Sequence, residues 1–417
     1  LAAAWVRSDD WVFADAAARL SRAWFHDPAA EMKVVGVTGT NGKTTTAWLL
    51  RAMHEAVGIP AGYVGTLGIR APGIDREIDN TTPFAIDLQR MIAEVRDSGA
   101  YFLAMEVSSH ALQERRADHV AYDVGVFTNL TQDHLDYHGT MEQYAAAKWR
   151  LFSELPSQSD KPFTSVFNVD DPQGKAWYER ASIPKLAYGL ASGDLAGDIR
   201  SLAVDRIDME LSFRGESKEV SVPLGGRFNV ENALSASAAF LALGHSLGET
   251  CAALSRVTPV PGRFEAVPND VGIGILIDYA HTPDALVKLL DAVRELGPGR
   301  IITVFGCGGD RDSGKRSQMG AVAQEFADQI VITNDNPRSE DPLQIIQMIR
   351  QGIQSPSANV QEIPDRAAAI MAAIRHADAR DVVLVAGKGH ETTQEIGDKR
   401  FDFSDQEHIR LAAGGLV

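Results

Sequence analysis

The stretch VVGVTGTNGKTTT, residues 34–46, runs from an apolar strand pattern through a glycine-rich turn into a helical pattern. The glycines let backbone amides approach phosphate oxygens, and the start of the following helix favours negative charge. Lys43 is placed to reach the β- and γ-phosphates, and Thr44 to offer its hydroxyl to Mg²⁺. Val37 stands where the general G-x-x-x-x-G-K-[ST] pattern has its first glycine. A helix cap without a ligand is the alternative, but the order strand, loop, Lys, Thr and helix favours a nucleoside triphosphate site.

Outward from this loop, strand-like and helical patterns alternate along the chain. The strand-like runs cover residues 33–37, 101–107, 123–129, 273–278, 300–305, 329–333 and 381–386. The helical patterns cover residues 44–57, 85–97, 232–247, 283–296 and 366–377. Such alternation predicts an α/β fold with mostly parallel sheets. Residues 193–222 alternate differently and predict an antiparallel edge.

A domain boundary is predicted near residues 257–262, where two prolines and a glycine separate a helical pattern from new strands. The α/β alternation starts again after it. We therefore expect a central domain at residues 33–259 and a C-terminal domain at residues 260–417. Residues 1–32 are too few for a domain of ordinary size.

Composition restricts the functional classes. The chain has 417 residues, with 40 Lys and Arg against 56 Asp and Glu, a formal charge of −16 that disfavours non-specific nucleic-acid binding. No apolar run approaches the roughly 18 residues of a membrane helix, and no signal-peptide pattern opens the chain. Two cysteines, Cys251 and Cys307, fit a reducing compartment. These features predict a soluble, acidic, cytoplasmic protein without membrane insertion.

The loop and the segments that follow it resemble the Mur ligases. The similar segments are NTTP (80–83), MEVSSHAL (105–112), FTNLTQDHLDYHGTMEQYAAAKWRLF (127–152), FNVENALSA (228–236), PGRFE (261–265), DYAHTPDAL (278–286), FGCGGDRDSGKR (305–316), TNDNPRSEDP (333–342) and GKGHE (387–391). They occur in unbroken order over roughly residues 20–417, and they are most similar to the branch that adds the third amino acid of the peptidoglycan peptide.

The resemblance implies a fold and a reaction. Mur ligases have an N-terminal domain for the UDP end, a central P-loop ATPase domain and a C-terminal Rossmann-like domain. With residues 1–32 as its remnant, the UDP-binding domain is expected to be largely missing. The implied reaction uses ATP to convert a carboxylate of UDP-N-acetylmuramoyl-L-alanyl-D-glutamate into an acyl phosphate, which an amino-acid amine then attacks. We expect a monomer with these small molecules as its partners.

The resemblance also implies a catalytic and metal-binding set around the ATP phosphates. Glu106 and His134 match Mg²⁺ ligands, although Mg²⁺ ordinarily prefers oxygen to imidazole. Lys148 matches a lysine that the family carbamylates, turning an ammonium into an oxygen donor near two Mg²⁺ ions. With Lys43 and Thr44, these residues form the predicted catalytic and metal site. The predicted ATP contacts are Gly39, Thr40, Asn41, Gly42, Lys43, Thr44, Thr45, Asn232, Arg263 and Asp278, so that ATP would lie between the domains.

Two further groups of residues match substrate contacts in the family. The predicted contacts to the UDP-linked dipeptide are Asn80, Thr81, Thr82, Ser108 and Arg116. Relatives usually carry Gln where this chain has Glu114, and a carboxylate there would repel an acidic substrate unless it points away. The predicted amino-acid contacts are Arg311, Asp335, Asn336, Pro337, Arg338, Gly387 and Glu391.

The amino acid itself is predicted from Arg338. Members of this branch add meso-diaminopimelate or L-lysine, and diaminopimelate carries one more carboxylate at its far end. A guanidinium suits that carboxylate. The segment Asp335–Arg338 is the arrangement associated with diaminopimelate, and lysine-adding members lack the arginine. A tight turn after a strand would explain the segment but not the arginine.

Four alternatives remain at this stage. The L-lysine-adding enzyme is disfavoured by Arg338. Folylpolyglutamate synthetase shares the loop but is expected to lack the DNPR, EVSSHAL and DHLDYHG segments. A P-loop switch without ligase chemistry would leave the C-terminal segments unexplained. A non-catalytic paralogue would be expected to have lost Lys43, Glu106, His134 or Lys148, and the chain has all four.

Overall fold

The computed structural model describes residues 10–190, 192–355 and 359–414. The chain divides into two compact units. Counting only the described residues, the first unit falls within Leu1–Arg200, Asp208–Val222 and Asn229–Thr258. The second falls within Ser201–Ile207, Pro223–Phe228 and Pro259–Val417. The first nine residues of the predicted N-terminal remnant lie outside the described residues.

An eleven-stranded sheet runs through the first unit. Its strands are β1 (Lys33–Thr38), β2 (Ala61–Gly65), β3 (Gly68–Ala71), β4 (Ile74–Arg76), β5 (Phe102–Glu106), β6 (Val124–Phe127), β7 (Thr164–Asn168), β8 (Lys185–Gly189), β9 (Leu195–Leu202), β10 (Ile207–Phe213) and β11 (Glu216–Val222). The order is β11-β10-β9-β8-β7-β6-β1-β5-β2-β3-β4. Pairing is parallel from β9 through β2 and antiparallel at β2–β3 and β3–β4.

Helices cover the sheet of the first unit. They are α1 (Asp10–Trp24), α2 (Lys43–Ala56), α3 (Ala85–Asp97), α4 (Ser109–Gln113), α5 (Leu135–His138), α6 (Met141–Ser153), α7 (Pro172–Arg180), α8 (Phe228–Ala242) and α9 (Leu247–Leu254), with 3₁₀ turns at Pro28–Glu31 and Leu155–Gln158. Every residue of β2, β5 and β6 is buried, as expected for parallel strands that are covered on both faces. The central strands β1, β5 and β6 therefore end at the same edge of the sheet, where loops can place functional side chains.

The second unit has its own sheet. Its strands are β12 (Glu265–Ala266), β13 (Gly274–Asp278), β14 (Ile301–Phe305), β15 (Gln329–Ile332), β16 (Val360–Glu362) and β17 (Val382–Ala386), in the order β12-β13-β17-β14-β15-β16. All pairs are parallel except β12–β13. The helices are α10 (Pro283–Glu295), α11 (Gly314–Phe326), α12 (Pro342–Arg350), α13 (Arg366–Arg375) and α14 (Asp405–Gly414). A separate hairpin pairs β18 (Thr393–Ile396) with β19 (Lys399–Asp402).

Two apolar clusters hold the second unit together. One includes side chains of α10, α11 and α12, and the other includes side chains of α13 and α14. A fully buried ion pair fixes α13 to α14, because Arg366 donates to both carboxylate oxygens of Asp405 at 2.7 Å. Breaking one partner of such a buried pair costs roughly 3–5 kcal/mol.

The predicted α/β class with mostly parallel sheets is confirmed. Strands β9, β10 and β11 lie at one edge of the large sheet, in the region whose pattern differs from the rest of the chain. Within the described ranges, no helix combines the length and the apolar character that crossing a bilayer requires.

Candidate active site

The phosphate loop joins β1 to α2, and its two glycines are required by close contacts. Gly39 has φ of 153° and Gly42 has φ of 82°. A Cβ atom on Gly39 would lie 1.9 Å from Oγ1 of Thr128, and one on Gly42 would lie 2.3 Å from Oδ1 of Asn232. Only glycine fits these positions. The predicted nucleotide contact Asn232, on α8, therefore packs directly against the loop.

Residues that follow β6 hold the loop in place. The backbone N–H of Thr40 donates to the carbonyl of Asn129 at 2.8 Å, and that of Asn41 donates to the Asn129 side chain at 2.9 Å. The Thr128 hydroxyl donates to the Asn41 carbonyl at 2.6 Å. Lys43 extends back over the loop, with Nζ 3.0 Å from the Gly39 carbonyl and 2.9 Å from that of Thr40. The Lys43 cation thus lies over a loop that leads into the N-terminus of a helix. The cation and the helix N-terminus both favour the binding of phosphate.

Glu106 ends β5 beside this loop and is 1% exposed. Its carboxylate accepts from the Thr44 hydroxyl at 2.9 Å, the Tyr63 hydroxyl at 2.5 Å and the Thr66 backbone at 2.8 Å. These donors compensate a buried negative charge that would otherwise be costly. Carboxylate and hydroxyl oxygens are donors that suit Mg²⁺, so Glu106 and Thr44 fit a magnesium site.

His134 lies in a different part of this edge. It has a left-handed backbone, with φ of 53°, at the start of α5. Its Nε2 is 3.4 Å from the Asp133 carboxylate, and its ring centre is 4.9 Å from that of His110 and 6.1 Å from that of Tyr144. Across the described residues, no group of three or more His, Cys, Asp or Glu side chains is spaced to hold a metal.

Lys148, on α6, is buried against the phosphate loop and is 1% exposed. Its Nζ donates to the Gly39 carbonyl at 2.7 Å and lies 4.4 Å from the ring centre of Tyr144. Burial, reinforced by the nearby Lys43 cation, holds the pKa of Lys148 well below its ordinary value. The amine is therefore driven towards its neutral, nucleophilic form. The Tyr144 hydroxyl is 3.2 Å from Oγ1 of Thr40, and burial raises its pKa to about 12.

The residues predicted to contact the UDP-linked dipeptide lie near Glu106. Thr82 is buried and bridges two loops, donating to the Glu106 carbonyl at 2.8 Å and accepting from the Ser108 backbone at 3.1 Å. The Thr81 hydroxyl is 3.1 Å from that of Thr66. The Ser108 side chain caps α4, and Asn80 is exposed. Thr82 and Ser108 are thus used for local structure, whereas Asn80 remains open to solvent.

Glu114, at the position where the family resemblance leads us to expect Gln, is neutralised by a predicted substrate contact. Nε of Arg116 donates to the Glu114 carboxylate at 2.7 Å, and the Tyr137 hydroxyl donates to its other oxygen at 3.0 Å. Arg116 also donates to the Thr82 carbonyl at 3.3 Å and lies 4.1 Å from the ring centre of Phe84. The Glu114 carboxylate therefore faces Arg116, which offsets its charge.

In the second unit, Asp278 ends β13 and fixes the turn that carries Arg263. Its carboxylate accepts from the Phe264 and Ala280 backbones, each at 2.7 Å. Burial raises the pKa of Asp278, and the Arg263 cation opposes this rise. The Arg263 guanidinium lies 5.0 Å from the ring centre of Tyr279. The two predicted nucleotide contacts of this unit are thus close to one another.

Most of the predicted amino-acid contacts follow β15 and β17, the two strands that pair with β14 in the second sheet, and Arg311 follows β14 itself. Asp335 is buried, and a Cβ atom on Gly387 would come within 2.6 Å of its carboxylate. Burial raises the pKa of Asp335. The Asn336 side chain donates to Glu391 at 2.9 Å. Pro337 is buried, Arg311 is exposed, and Arg338 is 26% exposed with a left-handed backbone, φ of 50°.

Several residues in these clusters were missed by the sequence reasoning. They are Tyr63, Thr66, Thr128, Asn129, Tyr144, Lys388 and Glu395, each hydrogen-bonded to a predicted site residue. Thr128, Asn129, Tyr144 and Lys388 lie inside the matched segments, so their position in the sequence was a usable signal. Tyr63, Thr66 and Glu395 lie outside those segments, and only the fold brings them to the site.

Comparison with protein families gives two matches in chain order. The Mur ligase middle domain matches residues 37–240, and the Mur ligase, glutamate ligase domain matches residues 262–389. Two similar curated proteins are named UDP-N-acetylmuramoyl-L-alanyl-D-glutamate–2,6-diaminopimelate ligase. That of Geobacillus kaustophilus is 44% identical over 95% of this chain and 82% of its own length. That of Coxiella burnetii is 44% identical over 93% and 80%.

Solved structures give a consistent result. A solved structure of a UDP-N-acetylmuramoyl-L-alanyl-D-glutamate–2,6-diaminopimelate ligase is 33% identical in sequence to this chain. It superposes with a TM-score of 0.72, covering 100% of this chain and 85% of the other. A folylpolyglutamate synthase from Mycobacterium tuberculosis, complexed with ADP, is 20% identical, with a TM-score of 0.69 over 91% and 92%. The second likeness is one of fold alone.

Proposed function

The chain belongs to the Mur ligase family, and we propose that it adds meso-2,6-diaminopimelate to UDP-N-acetylmuramoyl-L-alanyl-D-glutamate, forming a peptide bond as ATP is cleaved to ADP and phosphate. The observation that carries this choice of amino acid is the cluster after β15 and β17. It combines the cation of Arg338 with the carboxylate of Glu391. Diaminopimelate offers groups of both signs at its far end.

The first step of the proposed mechanism is phosphoryl transfer. A carboxylate oxygen of the D-glutamate attacks the γ-phosphorus of ATP, the bond to the β-γ bridging oxygen breaks, and ADP leaves. The loop amides and Lys43 would bind the triphosphate, and their charges would stabilise the developing negative charge. Thr44 and Glu106 would hold Mg²⁺, which when bound neutralises charge on phosphoryl oxygens.

We also propose that Lys148 is carbamylated in the active protein, as the family resemblance implies. The reaction joins a neutral lysine amine to CO₂ and releases a proton, so it requires an unprotonated Nζ. The lowered pKa of Lys148 supports this chemistry, since burial and Lys43 both disfavour its ammonium form. The product would carry oxygens that suit a second Mg²⁺. His134 is the further candidate ligand, because its ring centre lies 6.1 Å from that of Tyr144, whose ring centre is also 4.4 Å from Nζ of Lys148.

The second step is aminolysis of the acyl phosphate. The neutral amine of the amino acid attacks the acyl carbon and a tetrahedral intermediate forms. It collapses as the phosphate leaves with the bonding electrons, and the nitrogen loses one proton to the solvent. The oxyanion of this intermediate needs fixed cations or donors near it. Lys43, close to the Gly39 and Thr40 carbonyls, is the cation of the first unit that we propose for this role.

Arg116 is the proposed anchor for the peptide end of the UDP-linked substrate. Its guanidinium has five N–H donors, and Glu114 and the Thr82 carbonyl accept from only some of them. The remaining donors can bind an anionic group of the substrate. Thr81 and Asn80 lie at the same edge and would add neutral hydrogen bonds. Glu114 would orient Arg116 rather than contact the substrate.

The L-lysine-adding activity is the competing candidate within the family. L-Lysine ends in an ammonium alone, which would leave Arg338 without an anionic partner from the substrate. A buried or half-buried guanidinium facing an ammonium is unfavourable by charge. Arg338 therefore supports diaminopimelate over L-lysine.

Phosphate release tests the proposal. The protein is mixed with ATP, Mg²⁺ and UDP-N-acetylmuramoyl-L-alanyl-D-glutamate, and the rate is compared with meso-diaminopimelate, with L-lysine and with neither. We expect release that depends on diaminopimelate. Release with L-lysine instead would overturn the choice of amino acid and retain the family, whereas release indifferent to both would favour a nucleotide switch.

The surroundings of the reaction are proposed from the same chemistry. ATP and a UDP-linked substrate are cytoplasmic metabolites, and both cysteines, Cys251 and Cys307, are buried free thiols. We therefore propose a cytoplasmic enzyme. The monomeric state and the number of Mg²⁺ ions stay predictions.

A further inference from the structure

The β18–β19 hairpin is bonded to the Asp335–Arg338 segment by backbone and side chain. The Arg338 backbone donates to the Glu395 carbonyl at 3.1 Å, and the Gly397 backbone donates to the Arg338 carbonyl at 2.7 Å. The Gln394 side chain donates to the Asp335 carbonyl at 2.8 Å. Arg338 also forms an isolated parallel bridge with Ile396. The segment with the selective arginine is thus paired with the hairpin at Arg338.

Glu395 holds the side chain of Arg338 from this hairpin. The guanidinium donates through Nε to the Glu395 carboxylate at 2.9 Å and through one terminal nitrogen to the Gly309 carbonyl at 2.8 Å. Both side chains are partly exposed, at 26% for Arg338 and 39% for Glu395. Two fixed points on a planar group define its orientation. The remaining terminal nitrogen keeps donors for another anion.

Asn336 is committed to the same network. Its side-chain oxygen accepts from Lys388 Nζ and from the Glu395 backbone, each at 3.0 Å. Its nitrogen donates to Glu391, which also accepts from Lys388 at 2.9 Å. Lys388 is fully buried. Asn336 therefore connects the Lys388–Glu391 pair to the backbone of Glu395.

We propose that Glu395 is a positioning residue that determines amino-acid specificity, by holding the Arg338 guanidinium in place for the far carboxylate of the substrate. The inference rests on the proposed diaminopimelate-adding function. Holding the guanidinium before the substrate arrives removes the need to order a long, flexible side chain on binding. The ion pair is partly exposed, so its value lies in orientation more than in stability.

The test uses Glu395→Gln, which removes the charge and retains the shape. We expect the KM for meso-diaminopimelate to rise about tenfold, which is the loss of affinity that usually follows when one hydrogen bond to a charged group is removed. The kcat at saturating diaminopimelate and the KM for ATP should stay unchanged. L-Lysine has no far carboxylate, so the kcat/KM of whatever turnover it supports should be the same in the variant and the wild-type protein. Glu395→Asp should partly restore the KM for diaminopimelate.

Lys399→Ala is the matched control, because Lys399 is an exposed residue of the same hairpin. An unchanged KM for diaminopimelate in Glu395→Gln would overturn the proposal. A lower KM would also overturn it, by showing that Glu395 competes with the substrate carboxylate. Equal losses with diaminopimelate and L-lysine would indicate a general structural role and reject specificity. Failure of the wild-type protein to use diaminopimelate would instead count against the proposed function.

Discussion

Nζ of Lys148 lies 2.7 Å from the carbonyl oxygen of Gly39, so that a buried amine on α6 contacts the phosphate loop directly. The contact joins a lysine that is only 1% exposed to a glycine whose position has no room for a Cβ atom. Because Lys43 reaches the same carbonyl, two amines share one acceptor. Their mutual repulsion helps to explain why the pKa of Lys148 is lowered.

Replacing Lys148 by Ala should abolish turnover, with a loss of roughly 100-fold or more in kcat. The physical reason is that the proposed carbamate supplies negative oxygens that no neighbouring side chain replaces. Short carboxylic acids added to the variant should partly restore phosphate release. The measurement is initial rate with and without acetate, and with and without added bicarbonate for the wild-type protein.

Lys175→Ala is the control for this variant, since Lys175 is an exposed lysine of the same unit. Protons and CO₂ compete for the Lys148 amine, so activation of the wild-type protein by bicarbonate should weaken as the pH falls. Full activity of Lys148→Ala without added acid would remove the lysine from the mechanism.

Tyr63→Phe should weaken Mg²⁺-dependent ATP binding. The Tyr63 hydroxyl donates to the buried Glu106 carboxylate at 2.5 Å, and a hydrogen bond to a charged group contributes about 1.5–3 kcal/mol. We therefore expect about a tenfold higher Mg²⁺ concentration for half-maximal ATP binding. Calorimetric titration of ATP at several Mg²⁺ concentrations measures this without relying on turnover. Tyr101→Phe, at an exposed tyrosine, should have no effect, and equal behaviour of the two variants would contradict the role of Tyr63.

The fold was predictable where the pattern of apolar residues is regular. Helix α3 has the predicted bounds, β1 and β17 differ from the predicted runs by one residue at one end, and β5 is one residue shorter than its predicted run at each end. The predicted helix at residues 232–247 was wrong at both ends, because α8 begins at Phe228 and ends at Ala242. Gly244 has φ of 100°, and Ser246 starts α9 through a capping box with Glu249. The Ser-x-x-Glu signal was therefore present in the sequence but was overridden by the apolar run around it.

Only those residues of the site that lie in short linear motifs could be predicted from the sequence. Lys43 and Thr44 are adjacent and Glu106 lies 62 residues after Thr44, yet the ends of parallel strands bring them together. The pairings of Glu114 with Arg116 and of Glu395 with Arg338 depend on side-chain orientation and on a hairpin packing against a loop. Neither follows from periodicity or spacing, because the β18–β19 hairpin has no apolar alternation of its own.

Acidification should destabilise the first unit through His54. The ring of His54 stacks on Phe102 with centres 3.5 Å apart and meets Phe240 edge-on at 4.8 Å. Burial lowers the pKa of His54 to about 3, and the Leu50 carbonyl, which holds Nδ1 at 2.7 Å, opposes this only in part. The unfolded chain binds the proton below pH 6.5, so stability is fully present above that value and is lost as the pH falls towards 3. The slope should approach about 1.4 kcal/mol per pH unit between these limits.

Urea unfolding of the wild-type protein and of His54→Phe at several pH values between 7.5 and 5 isolates this contribution. An aromatic replacement keeps the stack on Phe102 but cannot bind a proton, so the difference in unfolding free energy between the two proteins should change with pH. His245→Phe is the comparison, because His245 is a neighbouring histidine that is less buried than His54. Parallel pH profiles for wild type and His54→Phe would show that His54 does not sense pH.

Arg338→Ala should weaken the use of diaminopimelate far more than the binding of ATP. The variant removes the cation proposed for the far carboxylate and leaves Glu395 without its partner, so two negative groups would then face one another. Loss of one partner of a close charge pair costs about 2 kcal/mol or more, which corresponds to a rise of roughly 30-fold in the KM for diaminopimelate. The KM for ATP should be unchanged, as measured by phosphate release under saturation of the other substrates.

Arg350→Ala, which breaks a surface pair with Glu362 in the same unit, is the control. Equal losses for diaminopimelate and ATP would refute the selectivity argument, because a guanidinium that reads only the far carboxylate has no means of changing nucleotide affinity.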